Sequence, residues 1–101
     1  MVIWSEEAKR DLRGIYEYIA RESKIYAQRV ADNIVAKSME TDKMPRRFHM
    51  MPELEEDAVR EFSIYSYRVI FEIMTDHIYV LAVAHKRKNI MADDINIKRE
   101  Q

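Results

Sequence analysis

The stretch YSYRVIFEIMTDHIYVLAVAH, residues 65–85, reads as two strands and the turn between them. In its first half Tyr65, Tyr67, Val69, Phe71 and Ile73 alternate with Ser66, Arg68, Ile70, Glu72 and Met74, which predicts one face largely in the core and the other mixed. The second half, Ile78 to Ala84, is apolar on both faces, as a central strand must be. The Thr75-Asp76 link is short enough for a hairpin, so the two strands are expected to run antiparallel. Val59 to Phe62 adds a further piece upstream, giving strands over 59–62, 65–74 and 77–85.

Working back toward the N-terminus, the period changes. Val2-Ile3-Trp4 is β-favouring and stops at Ser5, which with Glu6 and Glu7 forms an N-cap followed by acids in the first turn. Ala8, Leu12, Ile15, Tyr16 and Ile19 then recur at helical spacing to about Arg21. Gly14 inside that helix is read as a site of close helix packing. Ser23 caps a second helix striped by Ala27, Val30, Ala31, Ile34, Val35 and Met39 and ending before Pro45. The short link from Glu22 to Lys24 makes the pair an antiparallel helical hairpin. Pro45 to Asp57 keeps neither period; with Met44, Met50 and Met51 it is either an adaptable contact surface or a wrap over the core. Residues beyond Lys88 show weak periodicity and are read as frayed helix or disorder. The expected architecture is α+β, a helical hairpin laid across one face of a small twisted antiparallel sheet, leaving the opposite face free for function.

Composition narrows the function classes. At 101 residues the chain has room for one domain. It carries 17 Lys and Arg against 18 Asp and Glu, so the net charge of −1 removes any global electrostatic case for nucleic acid binding and leaves only local patches. With no cysteine there is no disulfide framework, Cys-ligated zinc or thiol nucleophile. His49, His77 and His85 lack paired ligand spacing, so no metal and no cofactor is expected, and His49 and His77 read as plain loop or turn residues. No apolar run approaches the ~20 residues that cross a bilayer, and no basic leader precedes Val2, so a cytoplasmic protein with no membrane partner is expected.

Several short motifs occur in a telling order. Trp4-Ser5 precedes a helix holding Ala8, Asp11-Leu12 and Ile15, followed by Tyr18-Ile19 and the helix ending near Pro45. Pro52-Glu53-Leu54, Arg60-Glu61, Tyr67-Arg68-Val69 and Val80 to His85 with Arg87 come next. In this order and spacing the chain resembles the RelE/ParE toxin superfamily of type II toxin–antitoxin modules. The resemblance implies a β-α-α-β-β-β fold, a growth-arresting toxin, and a hetero-oligomer with a cognate antitoxin whose C-terminal segment wraps the helices and sheet. Two positions depart from the family: Arg46-Arg47-Phe48 stands where Gly-Arg is common, and Phe71 where a Tyr often follows the Tyr-Arg strand.

Metal-free RNA cleavage needs a base for the 2′-hydroxyl, an acid for the leaving oxygen, and cations around the phosphate. Glu53 as base, His85 as acid, and Arg60, Arg68 and Arg87 as cations could supply that set, and similar positions serve catalysis in some RelE-like enzymes that cut mRNA on the ribosome. Against it, Glu53, Glu55, Glu56, Asp57 and Glu61 outnumber Arg60 and form an acidic lip that repels RNA. The balance points to the ParE-like branch, whose resemblance implies inhibition of DNA gyrase by protein contact. The alternatives are the ribosome-dependent mRNA nuclease and a non-toxic partner-binding module. Arg68 with Glu72, and Arg60 with Glu61, can equally be surface ion pairs. Lys86, Arg87 and Lys88 form the only concentrated basic patch, either a solvated run or a contact for the target or for phosphate. Tyr18, Ile25 and Tyr26 fall at the edge of the helical stripes and are expected to stay exposed for antitoxin binding. The remaining aromatics sit mostly at core spacing rather than as a base-stacking platform.

Overall fold

Two serine hydroxyls start the two long helices. In the computed structural model, which describes residues 1–100, Ser5 Oγ accepts the Ala8 N–H at 3.0 Å and Ser23 Oγ accepts the Tyr26 N–H at 3.1 Å. Each satisfies a donor that the first helical turn leaves unpaired. The order is β1 (Val2–Trp4), α1 (Glu6–Ala20), α2 (Lys24–Ser38), a short 3₁₀ turn (Pro45–Arg47), β2 (Val59–Ile64), β3 (Tyr67–Ile73), β4 (Ile78–His85) and α3 (Ala92–Arg99).

The sheet order is β1-β4-β3-β2, with β3 and β4 central, as the two-sided hydrophobicity of β4 requires. The pairings of β2 with β3 and of β3 with β4 are antiparallel, as expected, but β1 lies parallel to β4, so the sheet is mixed. The first hairpin turns at Tyr65-Ser66, so β3 starts at Tyr67, two residues later than the sequence pattern placed it, and Tyr65 takes a left-handed φ of 54°. Its hydroxyl meets the Asn33 side chain on α2 at 2.6 Å.

A core lies on each face. Under α1 and α2, Ala8, Val30, Ile34, Phe62, Val69, Phe71, Val80 and Val83 pack together, with Phe48 edge-on to Phe71 at 5.6 Å. On the far face, Met51, Val59, Ile70, Leu81, Ala82 and Ala84 meet Ile90 and Ile95. The register slips at Ile70/Phe71, so that Ile70 opposes Ala82 while Phe71 opposes Val80, and Leu81 is the extra residue of a bulge. The bulge turns Val80 and Val83 to the same face although they are three apart.

Four expectations are corrected here. The far face is not left open: α3 lies against β4 with Ile95 buried, and residues 92–99 are an ordered helix rather than a frayed tail; Gln101 lies outside the described residues. Weak periodicity hid α3 because Ile95 is the one residue it buries. Gly14 is not a close-packing site, since a Cβ there would meet nothing within 4 Å. Met39 and Val35 lie outside the α2 stripe and are exposed, the stripe closing instead on Ser38, whose Oγ accepts the Trp4 indole N–H at 3.1 Å. Of the two readings of the long loop, the wrap over the core is the one its packing shows. Met51 is fully buried, whereas Met44 and Met50 are exposed. The Met51 N–H bonds to Val59 O and the Glu61 N–H to His49 O, so the loop covers the outer edge of β2 and blunts its unpaired backbone.

Candidate functional site

The alternation of β3 puts Arg68, Ile70 and Glu72 in one row on the α3 side of the sheet. Across from them β2 places Glu61 opposite Ile70 and Ser63 opposite Arg68. Glu61 is therefore a carboxylate at a core-facing position, only 6% exposed. Arg68 satisfies it: Nε donates to Glu61 Oε1 at 2.9 Å, and Nη2 to the same oxygen at 2.5 Å. The other side of the guanidinium forks onto Glu53, with Nη1 and Nη2 each 2.8 Å from a carboxylate oxygen. His49 Nε2 closes the cluster 2.7 Å from Glu61 Oε2. The Arg68 hydrogen bonds hold the Glu53 carboxyl below the usual carboxylate range, and the same bonds, opposed by burial, raise Arg68.

Arg60 works at the sheet edge. Its Nη1 donates to Phe48 O at 2.9 Å and Arg46 O at 3.3 Å, while Nε and Nη2 reach Asp57 O and Oδ1 at 2.8 and 2.6 Å. These bonds staple the long loop to β2. The simple surface pairs considered for Arg60 with Glu61 and Arg68 with Glu72 do not form, and Glu72 instead accepts from Arg99 of α3 at 2.9 Å.

His85 is on the other side of the sheet. It opposes Tyr67, whose ring packs in the helix-side core and meets the imidazole edge-on at 5.7 Å. Its Nδ1 accepts the Arg87 N–H at 3.1 Å, capping the strand end. The five residues considered for RNA cleavage are thus divided: Glu53 and Arg68 are joined, Arg60 is bound into the loop, His85 lies across the sheet, and Arg87 stands exposed on the turn after β4. Phe71, the position where a Tyr was considered, is fully buried beneath the helices beside Phe48 and Phe62, so the missing hydroxyl takes nothing from the Arg68 cluster.

Lys86, Arg87 and Lys88 stand exposed on the turn after β4. Next to them, β1 has already ended, and the backbone of β4 past Val80 has no strand on that side among the described residues. Side chains take the place of a strand: Ser5 Oγ donates to Leu81 O at 3.4 Å and the Asp11 carboxylate accepts the Val83 N–H at 3.0 Å. Burial pushes the Asp11 carboxyl up, against the pull of that N–H. A cleft lined by Arg10, Asp11, Gly14, Tyr18, Tyr67 and His85 opens along this edge. It leads to the tip of the hairpin, where Tyr18 and Tyr26 border a second hollow and Arg21 lies over the Tyr18 ring at 5.8 Å. Tyr18 is 68%, Ile25 78% and Tyr26 45% exposed, an apolar surface around the link between α1 and α2.

Sequence reading missed Glu61, His49 and Asp11 as members of these sites. The signals were present: Glu61 shares the parity of Val59 on a strand, and Asp11 lies three residues after Ala8, at the margin of the buried stripe. Among the described residues no helix is long and apolar enough to cross a membrane.

Comparison with known proteins bears on these surfaces. No curated protein matches the chain in sequence. A solved structure described as the chromosomal ParDE TA system from P. aeruginosa superposes with a TM-score of 0.70, covering 83% of this chain and 92% of that one at 20% identity, a likeness of fold. The family model for the ParE toxin of type II toxin-antitoxin system, parDE, matches residues 2–90, from β1 to the residue pair that precedes α3. With the match spanning α1, α2 and all four strands, the chain belongs to the ParE toxin family of type II toxin–antitoxin systems.

Proposed function

We propose that the protein arrests growth by inhibiting DNA gyrase through protein contact and is neutralised by a cognate antitoxin. The observation that carries this reading over mRNA cleavage is the division of the candidate catalytic set. A metal-free nuclease needs its base, its acid and its phosphate-binding cations around one phosphate. Here the candidate acid His85 is on the opposite sheet face from Glu53 and Arg68, and those two are already spent on each other. A carboxylate held ionised by a bidentate arginine is a weak base. The exposed turn Lys86, Arg87 and Lys88 is the target-contact surface in this reading, and Tyr18, Ile25 and Tyr26 with the adjoining cleft form the antitoxin-binding surface. Action on gyrase places the protein in the cytoplasm.

Purified protein, tested side by side in a gyrase supercoiling assay and in a translation reaction with ribosome-bound mRNA, discriminates the readings. Loss of supercoiling with intact mRNA is expected. Reversing the charges of Lys86, Arg87 and Lys88 together should weaken gyrase inhibition, and unchanged inhibition removes that turn from the contact. Cleaved mRNA with normal supercoiling would replace this proposal by the nuclease reading, and Arg68→Ala and His85→Gln would then abolish cleavage. Absence of both activities, and of growth arrest, would leave a partner-binding module.

A further inference from the structure

The cleft along the free edge of β4 does not stop at Asp11. It runs on past Lys88 into a cavity of about 290 Å³ between α1, β4 and α3, whose walls include Glu7, Ile90, Asp94, Ile97 and Lys98. Asp11, Val83, Ala84 and Lys88 line both hollows, which makes them one groove from Tyr18 at the hairpin tip to Ile97 of α3. We propose that this groove takes an extended antitoxin segment carrying acidic and apolar residues, and that α3, by walling its far end, selects the cognate antitoxin. The proposal rests on the antitoxin reading above and adds the far wall, which lies beyond residue 90, where the family match ends.

The floor of the groove is backbone. Val83 gives its N–H to Asp11 on the side of β4 that faces away from β3. Strand alternation turns the Val83 carbonyl and the His85 N–H to that same side, where no strand meets them among the described residues. A sheet edge that keeps an unpaired donor and acceptor is a template for one more strand. From Glu7 to Tyr18 the α1 wall measures about 16 Å, the length of roughly five extended residues.

The side chains set the chemistry of the occupant. Glu7 is paired with Lys98, and the Asp11 and Asp94 carboxylates accept the backbone N–H groups of Val83 and Met91. Arg10 and Lys88 are exposed and form no ion pair among the described residues. The groups still without a partner are therefore cationic, and they call for an acid on the incoming segment. At the α3 end Ile97 is 56% exposed and borders the cavity beside buried Ile90 and Ile95, a seat for an apolar side chain. An antitoxin bearing a charge at that place would bury it against Ile97 unpaired, and this gives α3 its discrimination. Lys88 belongs to the groove and to the exposed turn alike, so an occupied groove also withdraws it from the target.

The test is titration calorimetry of the full chain with the purified antitoxin encoded beside its gene. Ile97→Asp and Lys88→Glu should each weaken binding on the order of tenfold or more. Glu100→Gln, on α3 but lining a separate hollow, should leave it unchanged. Exchanging one acid of the antitoxin segment for lysine should restore affinity for Lys88→Glu, and hydrogen exchange at the His85 amide should slow in the complex. Should Ile97→Asp fail to fold by circular dichroism, Ile97→Ser takes its place. A loss of affinity in Tyr18→Ala with none in the Ile97 and Lys88 variants overturns the role of α3 and leaves the antitoxin reading standing. An unprotected His85 amide overturns the added strand. A wild-type chain that does not bind the antitoxin overturns both the proposal and the reading beneath it.

Discussion

Asp11 does the work of a missing piece of strand. It leaves the buried side of α1 to accept the Val83 N–H next to the bulge in β4, at a point β1 is too short to reach. Asp11→Ala should therefore cost about 1–3 kcal/mol, the penalty for an orphaned backbone donor. Asp11→Asn keeps an acceptor and sheds the cost of burying a charge, so its stability should match or exceed wild type. Urea denaturation of the two variants checks the pair, and equal losses would show that the charge rather than the acceptor matters. Glu61 illustrates the same lesson. Its parity with Val59 was visible in the sequence, but a buried carboxylate is affordable only because Arg68, seven residues on, reaches it from the next strand. That proximity is a product of register, which no local pattern announces.

The helices differ in how openly they declare themselves. α1 and α2 have serine caps and an apolar stripe, and both limits of α1 and the start of α2 were legible to within a residue or two, whereas α2 ends at Ser38, well short of the Pro45 that bounded it in the sequence. Gly14, in α1, was misread because spacing shows a small residue but not what faces it. With open space above it, Gly14→Ala should stabilise the chain by about 0.5–1 kcal/mol through helix propensity alone. A thermal melt that falls instead would reinstate close packing. α3 is the reverse case. It has no side-chain cap from a serine or aspartate ahead of it, and Met91 N–H is instead bonded by Asp94. It is held by Ile95 in the far-face core, by Arg99 on Glu56 and Glu72, and by Lys98 on Glu7, whose carboxyl that lysine holds low. Ile95→Ala should cost about 2–5 kcal/mol as a buried large-to-small change. A loss below about 0.5 kcal/mol, the range of surface substitutions, would return α3 to a frayed tail.

The charge balance of −1 conceals an internal network that ties loop, sheet and C-terminal helix together. Glu53 and Asp57 are both held below the usual range, chiefly by hydrogen bonds from Arg68 and Arg46. A carboxylate lowered on folding contributes stability that is complete above its unfolded pKa and is lost as pH falls through the folded one. The melting temperature should thus hold steady near neutrality and decline below about pH 4. Glu53→Gln should make the decline shallower. Asp11 works in the opposite sense, since burial raises it and its protonation relieves the folded state, so it offsets part of the acid loss. Thermal melts from pH 7 to 2 on wild type and Glu53→Gln measure the difference, and identical slopes would show that Glu53 contributes nothing to it.

From the residues alone came the helical hairpin, the central hairpin strands and the motifs that carried the family resemblance, because caps, periods and turn lengths are local and act within a few residues. The parallel seat of β1 on β4, the bulge at Leu81, the burial of Glu61, the closing of the far face by α3 and the division of His85 from Arg68 were decided by tertiary structure. Each depends on which of two sheet faces a side chain takes and on what distant segment lies over it. A shift of one residue in register reverses the first, and only long-range packing supplies the second.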